Sequence, residues 1–220
     1  MSNCHIDTAI RSSKPDECYL IRNEYCFVFN YVKKEFLSGP IPITKVFPML
    51  CHSKFEGGIG CAFHGGKNHV FIFRGKQFAE IQYTPVNDQH STTKGKIFHN
   101  CSITERFPKL KGTWFENDID AAIRYTEKDV YLFKKNKCIR LDYLSGVPGG
   151  EHRIHETFPF LVGTVFETGI DAAFASNDKG EAYIFKGKHY VRINVAEREG
   201  KAITDFIVSR KIRFIKDIWN

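Results

Sequence analysis

Strand-length segments dominate the pattern of apolar and polar positions, and four of them align with an aromatic residue at matched positions. They are Cys18-Tyr19-Leu20-Ile21-Arg22, Val70-Phe71-Ile72-Phe73-Arg74, Val130-Tyr131-Leu132-Phe133-Lys134 and Ala182-Tyr183-Ile184-Phe185-Lys186. Their length and their β-branched and aromatic content predict strands. Gly75-Lys76, Lys135-Asn136-Lys137 and Gly187-Lys188 then supply a turn, and a third alternating segment follows, such as Cys138-Ile139-Arg140-Leu141-Asp142-Tyr143 or Tyr190-Val191-Arg192-Ile193. Upstream of each aromatic segment stands another: Ile6-Asp7-Thr8-Ala9-Ile10-Arg11, Ile59-Gly60-Cys61-Ala62-Phe63-His64, Ile119-Asp120-Ala121-Ala122-Ile123-Arg124 and Ile170-Asp171-Ala172-Ala173-Phe174-Ala175. The prediction is a unit of three short antiparallel strands, written four times with starts 53, 60 and 51 residues apart.

A helical period interrupts the strands once per unit. Ile43-Thr44-Lys45-Val46-Phe47-Pro48, Ile103-Thr104-Glu105-Arg106-Phe107-Pro108 and Ile154-His155-Glu156-Thr157-Phe158-Pro159 have apolar residues at i and i+3 or i+4, which suits one helical turn stopped by proline. Gly112 to Asn117 and Gly163 to Thr168 then lead into the next unit. The last unit ends in Ile212 to Trp219, and Ser209 to Lys216 alternates basic and apolar residues as an amphipathic terminal helix would. A small sheet cannot bury both faces alone, and closing four units radially leaves only short edges. The fold class is therefore all-β, a single four-bladed propeller with short helices between blades and repeats at about 1–53, 54–113, 114–164 and 165–220. The competing architecture, a pair of two-unit sandwiches, lacks a Pro/Gly/Ser-rich linker to divide it.

Composition narrows the class of function. Twenty Phe, nine Tyr and two Trp exclude a disordered chain. No apolar run approaches the roughly 18 residues of a membrane span, and the N-terminus lacks a secretory signal, so the expected compartment is cytoplasmic. Seven cysteines without a Cys-x-x-Cys pair, each in or beside an apolar stretch, read as buried thiols. The formal charge of +7 favours anionic partners or simply solubility. The basic residues form no block, so no nucleic-acid partner is expected.

The strand of the Ile-Asp-Ala-Ala-Phe type, the Tyr-x-Phe-Lys-Gly strand, the Tyr-x-Arg-Ile strand and the Phe-Pro turn together resemble the hemopexin repeat, over essentially the whole chain. A free-standing set of four repeats is most similar to the legume seed albumin-2 family, as Phe166 to Ser176 and Ala9-Ile10-Arg11-Ser12-Ser13 indicate. The resemblance implies a hemopexin-type propeller in the cytosol of seed tissue. It also implies a storage albumin that binds haem or the polyamine spermine, agglutinates cells in some members, and in some members dimerises. Secreted hemopexin domains join first and last blades by a disulfide; here Cys4 has no counterpart near the C-terminus, so closure is expected from packing and strand pairing.

In such a propeller the Ile-Asp-Ala-Ala strands are innermost and line a central channel. Backbone carbonyls of Asp7, Gly60, Asp120 and Asp171 would then converge on the axis, where a structural calcium ion finds hard oxygen ligands. Gly60 supplies a carbonyl but one carboxylate fewer. A second layer at Ala9, Ala62, Ala122 and Ala173 would hold sodium or chloride, as family members do; otherwise Asp and Ala merely suit a crowded strand start.

No nucleophile, phosphate-loop or zinc motif appears, so an enzyme is not expected. Asn100-Cys101-Ser102 is a chance glycosylation pattern, and the clusters Gly57-Gly58-Ile59-Gly60 and Gly65-Gly66 read as turns. His152 and His155 with Glu151 and Glu156 have metal-like spacing but read as a solvated helix cap. His5, His64, His69 and His189 are conceivable haem ligands, none assigned. Spermine requires a local acidic pocket, for which Glu116, Asp118, Glu167 and the inner-strand aspartates are nearest. The alternatives to ligand binding are a lectin-like module presenting loops to glycans or a cell surface, and a plain storage protein.

Overall fold

A computed structural model describes residues 5–12, 14–66, 68–85, 93–177, 180–195 and 213–214. Four sheets of four antiparallel strands each succeed one another along the chain. The first sheet is β1 (Thr8–Arg11), β2 (Glu17–Arg22), β3 (Tyr25–Asn30) and β4 (Glu35–Pro42). The second is β5 (Cys61–Gly66), β6 (His69–Arg74), β7 (Gln77–Pro85) and β8 (Thr93–Ser102). The third is β9 (Ala121–Arg124), β10 (Asp129–Lys134), β11 (Lys137–Asp142) and β12 (Val147–Arg153). The fourth is β13 (Ala172–Ala175), β14 (Glu181–Lys186), β15 (His189–Asn194) and β16 (Arg213–Phe214). β1 packs on β5, β5 on β9, β9 on β13 and β13 on β1. The Ile-Asp-Ala-Ala strands are thus innermost, and the molecule is a four-bladed propeller.

Each blade has one strand more than the three expected. The outer strands escape a period-two reading because they carry Gly and Pro and little alternation. β4 is Glu-Phe-Leu-Ser-Gly-Pro-Ile-Pro and β12 is Val-Pro-Gly-Gly-Glu-His-Arg, each pairing through register shifts. Such sequences suit an edge, where an unpaired N–H would invite another chain. Gly65 and Gly66 extend β5 past a register shift rather than forming a turn after it. Arg213 and Phe214, placed by the sequence in a terminal helix, instead pair as β16 with Tyr190 and His189; the rest of that expected helix lies outside the described residues.

The helical turns are α1 (Ile43–Val46), α2 (Ile103–Arg106) and α3 (Ile154–Thr157). In each the proline does more than stop the helix: Pro48, Pro108 and Pro159 open a 3-10 turn, where a missing N–H is harmless. A serine and a glutamate cap α2 reciprocally, Ser102 Oγ accepting from Glu105 N at 3.1 Å and Glu105 Oε2 from Ser102 N at 2.6 Å.

The buried side chains divide into four clusters, one between each pair of neighbouring blades. Tyr19, Phe47, Phe55 and Ile72 fill the first, and Phe73, Phe107, Phe115 and Leu132 the second. Tyr131, Phe158, Phe166 and Ile184 fill the third. The fourth joins first and last blades through Leu20, Phe29, Tyr31, Phe174 and Phe185. Ring closure rests on this cluster. Among the described residues every sheet is built from consecutive strands. Cys4 lies outside the described residues. The other six cysteines are free, and Cys18, Cys26, Cys61 and Cys138 are buried as expected, whereas Cys101 is partly covered and Cys51 exposed.

Candidate functional site at the two ends of the propeller axis

Asp7, Gly60, Asp120 and Asp171 each stand one residue before an innermost strand. Each donates its N–H to a second-strand carbonyl, of Ile21, Phe73, Phe133 and Phe185, at 2.8–2.9 Å. At three of the four the carboxylate then folds back onto the next hairpin. Asp7 Oδ2 accepts from Asn23 N at 2.5 Å, Asp120 Oδ2 from Lys135 N at 2.6 Å and Asp171 Oδ2 from Gly187 N at 2.7 Å. Those donors are the turn residues with left-handed φ, at 52°, 50° and 54°. The aspartate therefore ties a strained turn to the inner strand, a role the sequence pattern did not disclose. Gly75 occupies the same turn in the second blade, with φ 57°, and Gly60 leaves it without that carboxylate.

Two of the three carboxylates also meet cations of the chain itself, Asp171 Oδ1 lying 3.9 Å from Lys186 Nζ. His5 Nε2 lies 3.0 Å from Asp7 Oδ1 and His5 Nδ1 lies 3.4 Å from Asp171 Oδ2, so His5 bridges the first and last blades. Hydrogen bonds to Asp171 and then Asp7 raise the imidazole pKa to about 10. Burial pushes the Asp7 and Asp171 carboxyls up, but His5 and the hairpin amides outweigh it and hold both below the usual range. Asp120 has no such histidine; burial, with the Asp171 charge adding to it, lifts it above that range. Among the described residues no three His, Cys, Asp or Glu side chains group as metal ligands. Ala9, Ala62, Ala122 and Ala173 lie one layer further in, each 1% exposed.

At the opposite end, the last position of the inner-strand repeat is Arg11, His64, Arg124 and Ala175. All four line a cavity of about 590 Å³, together with Tyr125, Ser176 and Val195 among others. His64 Nδ1 accepts from Gly66 N at 3.0 Å, which leaves Nε2 as the donor of the neutral ring. Burial, then the charges of Arg11 and Arg124, pull its pKa down to about 4. One end of the axis is thus acidic and the other basic, although the two ends lie only four residues apart on each inner strand.

A ring of tyrosines explains where this cavity opens. Tyr31, Tyr83, Tyr143 and Val195 occupy one equivalent position, just beyond or at the end of the third strand. Tyr83 donates its hydroxyl to Arg11 O of the preceding blade at 2.8 Å, and Tyr143 donates to Gly65 O at 3.3 Å and Glu127 O at 2.7 Å. Tyr31 packs on Phe174 and Tyr183 of the fourth blade with ring centroids 5.3 and 5.2 Å apart. Val195 is buried in the cluster shared with the third blade but has neither ring nor hydroxyl to make such a contact, and the cavity lies at that seam. The recurrence was visible in the sequence as Asn30-Tyr31, Gln82-Tyr83, Asp142-Tyr143 and Asn194-Val195, but not what the ring touched.

Other candidates have partners within the chain. Glu116 and Glu167 accept from Gly112 N and Gly163 N across their turns, and Glu56 repeats this on His52 N, a third copy of a motif recognised in only two units. Asp118 N donates to Gly75 O. Glu156 caps α3 by accepting from Arg153 N, Glu151 meets Lys137 and Trp114 N, and His155 lies against Glu167. His69 pairs with Glu80 at 2.8 Å.

Compared with known proteins, the chain is 36% identical to Albumin-2 of Pisum sativum over 98% of its length and 93% of that protein's. Albumin-2 of Lathyrus sativus is 37% identical over 98% and 94%. This chain belongs to the albumin-2 family of hemopexin-repeat proteins. A Hemopexin family model matches residues 170–206. Among solved structures, a seed albumin from Lathyrus sativus superposes with a TM-score of 0.86 at 36% identity, covering 100% of this chain and 96% of that one. A plant lectin with two metal binding sites from Cicer arietinum gives 0.83 at 40% identity, with 90% of each chain covered. A plant albumin from Cicer arietinum showing hemagglutination gives 0.81 at 38%, covering 92% and 95%. At the axis ends Gly60, Ala175 and Val195 depart from the pattern of this chain's own repeats.

Proposed function

We propose that this albumin-2 protein is a non-catalytic seed albumin whose axis holds a structural cation at the acidic end. The observation that carries the reading is the position of Asp7, Asp120 and Asp171 one residue before three inner strands, where their charge would favour a cation held by main-chain oxygens, the donor type that calcium takes. The Cicer arietinum lectin with two metal binding sites, 40% identical, supports it. A second ion, sodium or chloride, would sit in the layer of Ala9, Ala62, Ala122 and Ala173, where small side chains let four inner strands approach one another. His5 competes for the same charge, so removing it should favour the ion. Titration calorimetry with calcium chloride, with melts in calcium and in EGTA, tests this. Calcium should bind and raise Tm, and more tightly in His5→Ala; absent heat and equal melts would refute it.

Interaction with a cell surface is the companion reading, favoured by the relative that shows hemagglutination. Trp114, Leu144, Val162 and Val165 are exposed and offer apolar contacts to glycans or to a second copy. Agglutination assays with sugar competition, and sedimentation for a homodimer, test it. Spermine fits the acidic end by charge, where an ammonium would replace His5 between Asp7 and Asp171. Haem would place propionates toward Arg11 and Arg124. A Soret titration and a spermine titration, each against the His5→Ala and Arg124→Gln variants, separate the two ligands. The free thiols accord with a cytoplasmic protein.

A further inference from the structure

The basic cavity at the seam between the third and fourth blades has the makings of a binding site independent of the axial cation. Arg11 and Arg124 come from inner strands of different blades, and the neutral His64 between them presents an Nε2 donor. Among the described residues Arg11 makes one long side-chain hydrogen bond, Nη1 to Ser176 O at 3.4 Å. Arg124 gives Nε to Thr126 O at 2.9 Å and Nη2 to Glu127 Oε2 at 2.7 Å. Two carboxylates also line the space, but neither closes it. Glu127 is 99% exposed, so its pairing with Arg124 is screened by water and easily exchanged. Glu181 is held by Arg192 at 3.4 Å. Guanidinium forks match planar or tetrahedral oxyanions by paired N–H donation.

We infer that the cavity lined by Arg11, His64 and Arg124 binds a small dianion, phosphate or dicarboxylate, and that Val195 keeps it open. The dianion would displace Glu127 from Arg124 and take donors from both guanidinium groups and from His64. At about 590 Å³ the space exceeds what phosphate alone fills, so a phosphate ester or a short dicarboxylate also fits. A tyrosine at 195, as in the other three blades, would reach toward the third blade and occupy the opening.

The test is calorimetric titration of the full chain with sodium phosphate and, separately, sodium succinate, at constant ionic strength in chloride. NMR follows the His64 ring in parallel. Saturable binding of either anion with a shift at His64 is expected, and the stronger of the two identifies the source. Arg11→Gln/Arg124→Gln and Val195→Tyr should each weaken binding by about tenfold or more, the loss of one or two charge-assisted hydrogen bonds. Glu127→Gln should tighten it by freeing Arg124. Retained melting temperature and calcium binding in Val195→Tyr would show that the propeller is intact. No saturable binding of either anion, or equal binding in the arginine double variant, overturns the inference. Loss of calcium binding with phosphate binding kept would instead overturn only the axial-cation reading.

Discussion

Replacing Gly60 by aspartate should complete the ring that the other three blades carry. Gly60 is not in the left-handed region, and a Cβ there would meet Phe73 O at 3.4 Å and Arg74 Cα at 3.9 Å, ordinary contacts. Gly60 N already donates to Phe73 O at 2.9 Å, as Asp120 N does to Phe133 O, so the backbone register is shared. The Gly75 amide, two residues beyond Phe73, is the counterpart of the Lys135 amide that Asp120 accepts from at 2.6 Å. A charge-assisted hydrogen bond of this kind contributes about 1.5–3 kcal/mol when buried, and roughly 1 where partly solvated. Restricting the unfolded glycine adds about 0.4–1 kcal/mol. The expected gain is about 1.5–2 kcal/mol, or roughly 3–8 °C in Tm for a chain of this size. A fourth carboxylate also repels the other three, as the raised pKa of Asp120 shows, burial being its first cause and the Asp171 charge a further one. The gain should therefore be larger in calcium than in EGTA. Thermal and urea unfolding in both buffers measure it. An unchanged or lower stability in calcium, with the new carboxylate shown crystallographically to reach Gly75 N, would refute the reasoning.

Three further outcomes are expected. Tyr83→Phe removes a buried hydroxyl from Arg11 O and should lower stability by about 1–2 kcal/mol in urea unfolding; a neutral result would mean that water replaces the latch. His64 should titrate near 4 by NMR, because burial and then Arg11 and Arg124 disfavour its charged form. The unfolded chain gains a proton near pH 6.5 and the native one does not, so stability falls by up to about 3 kcal/mol as pH drops from 6.5 to 4. His64→Asn should flatten that part of the profile, and a measured value near 6.5 would contradict the assignment. Iodoacetamide labelling followed by peptide mass spectrometry should modify exposed Cys51 in the native protein while buried Cys18, Cys26, Cys61 and Cys138 wait for unfolding; equal rates would mean that the blades open readily.

Much of this molecule is local and was therefore readable along the chain. A blade is one continuous stretch, so its aromatic strand, its turn and its Phe-Pro helical turn recur in register, and the recurrence alone specifies four blades about one axis. Small residues at Ala9, Ala62, Ala122 and Ala173 follow from the crowding of four inner strands. The outer strands were hidden because an edge needs no alternation, and Arg213-Phe214 because helix and strand share its pattern of basic and apolar residues. What tertiary structure decided lies between blades. Whether an aspartate carboxylate points to an ion or to a hairpin amide depends on a turn fifteen or sixteen residues away. Tyr83 and Arg11 are 72 positions apart, and Arg11 and Ser176 are 165 apart. The basic cavity gathers Arg11, His64, Arg124 and Ala175 from four blades that only ring closure sets around one end of the axis. Sequence period sets which residues share a position; contact across a seam depends on side-chain reach and on the blade that closure places opposite.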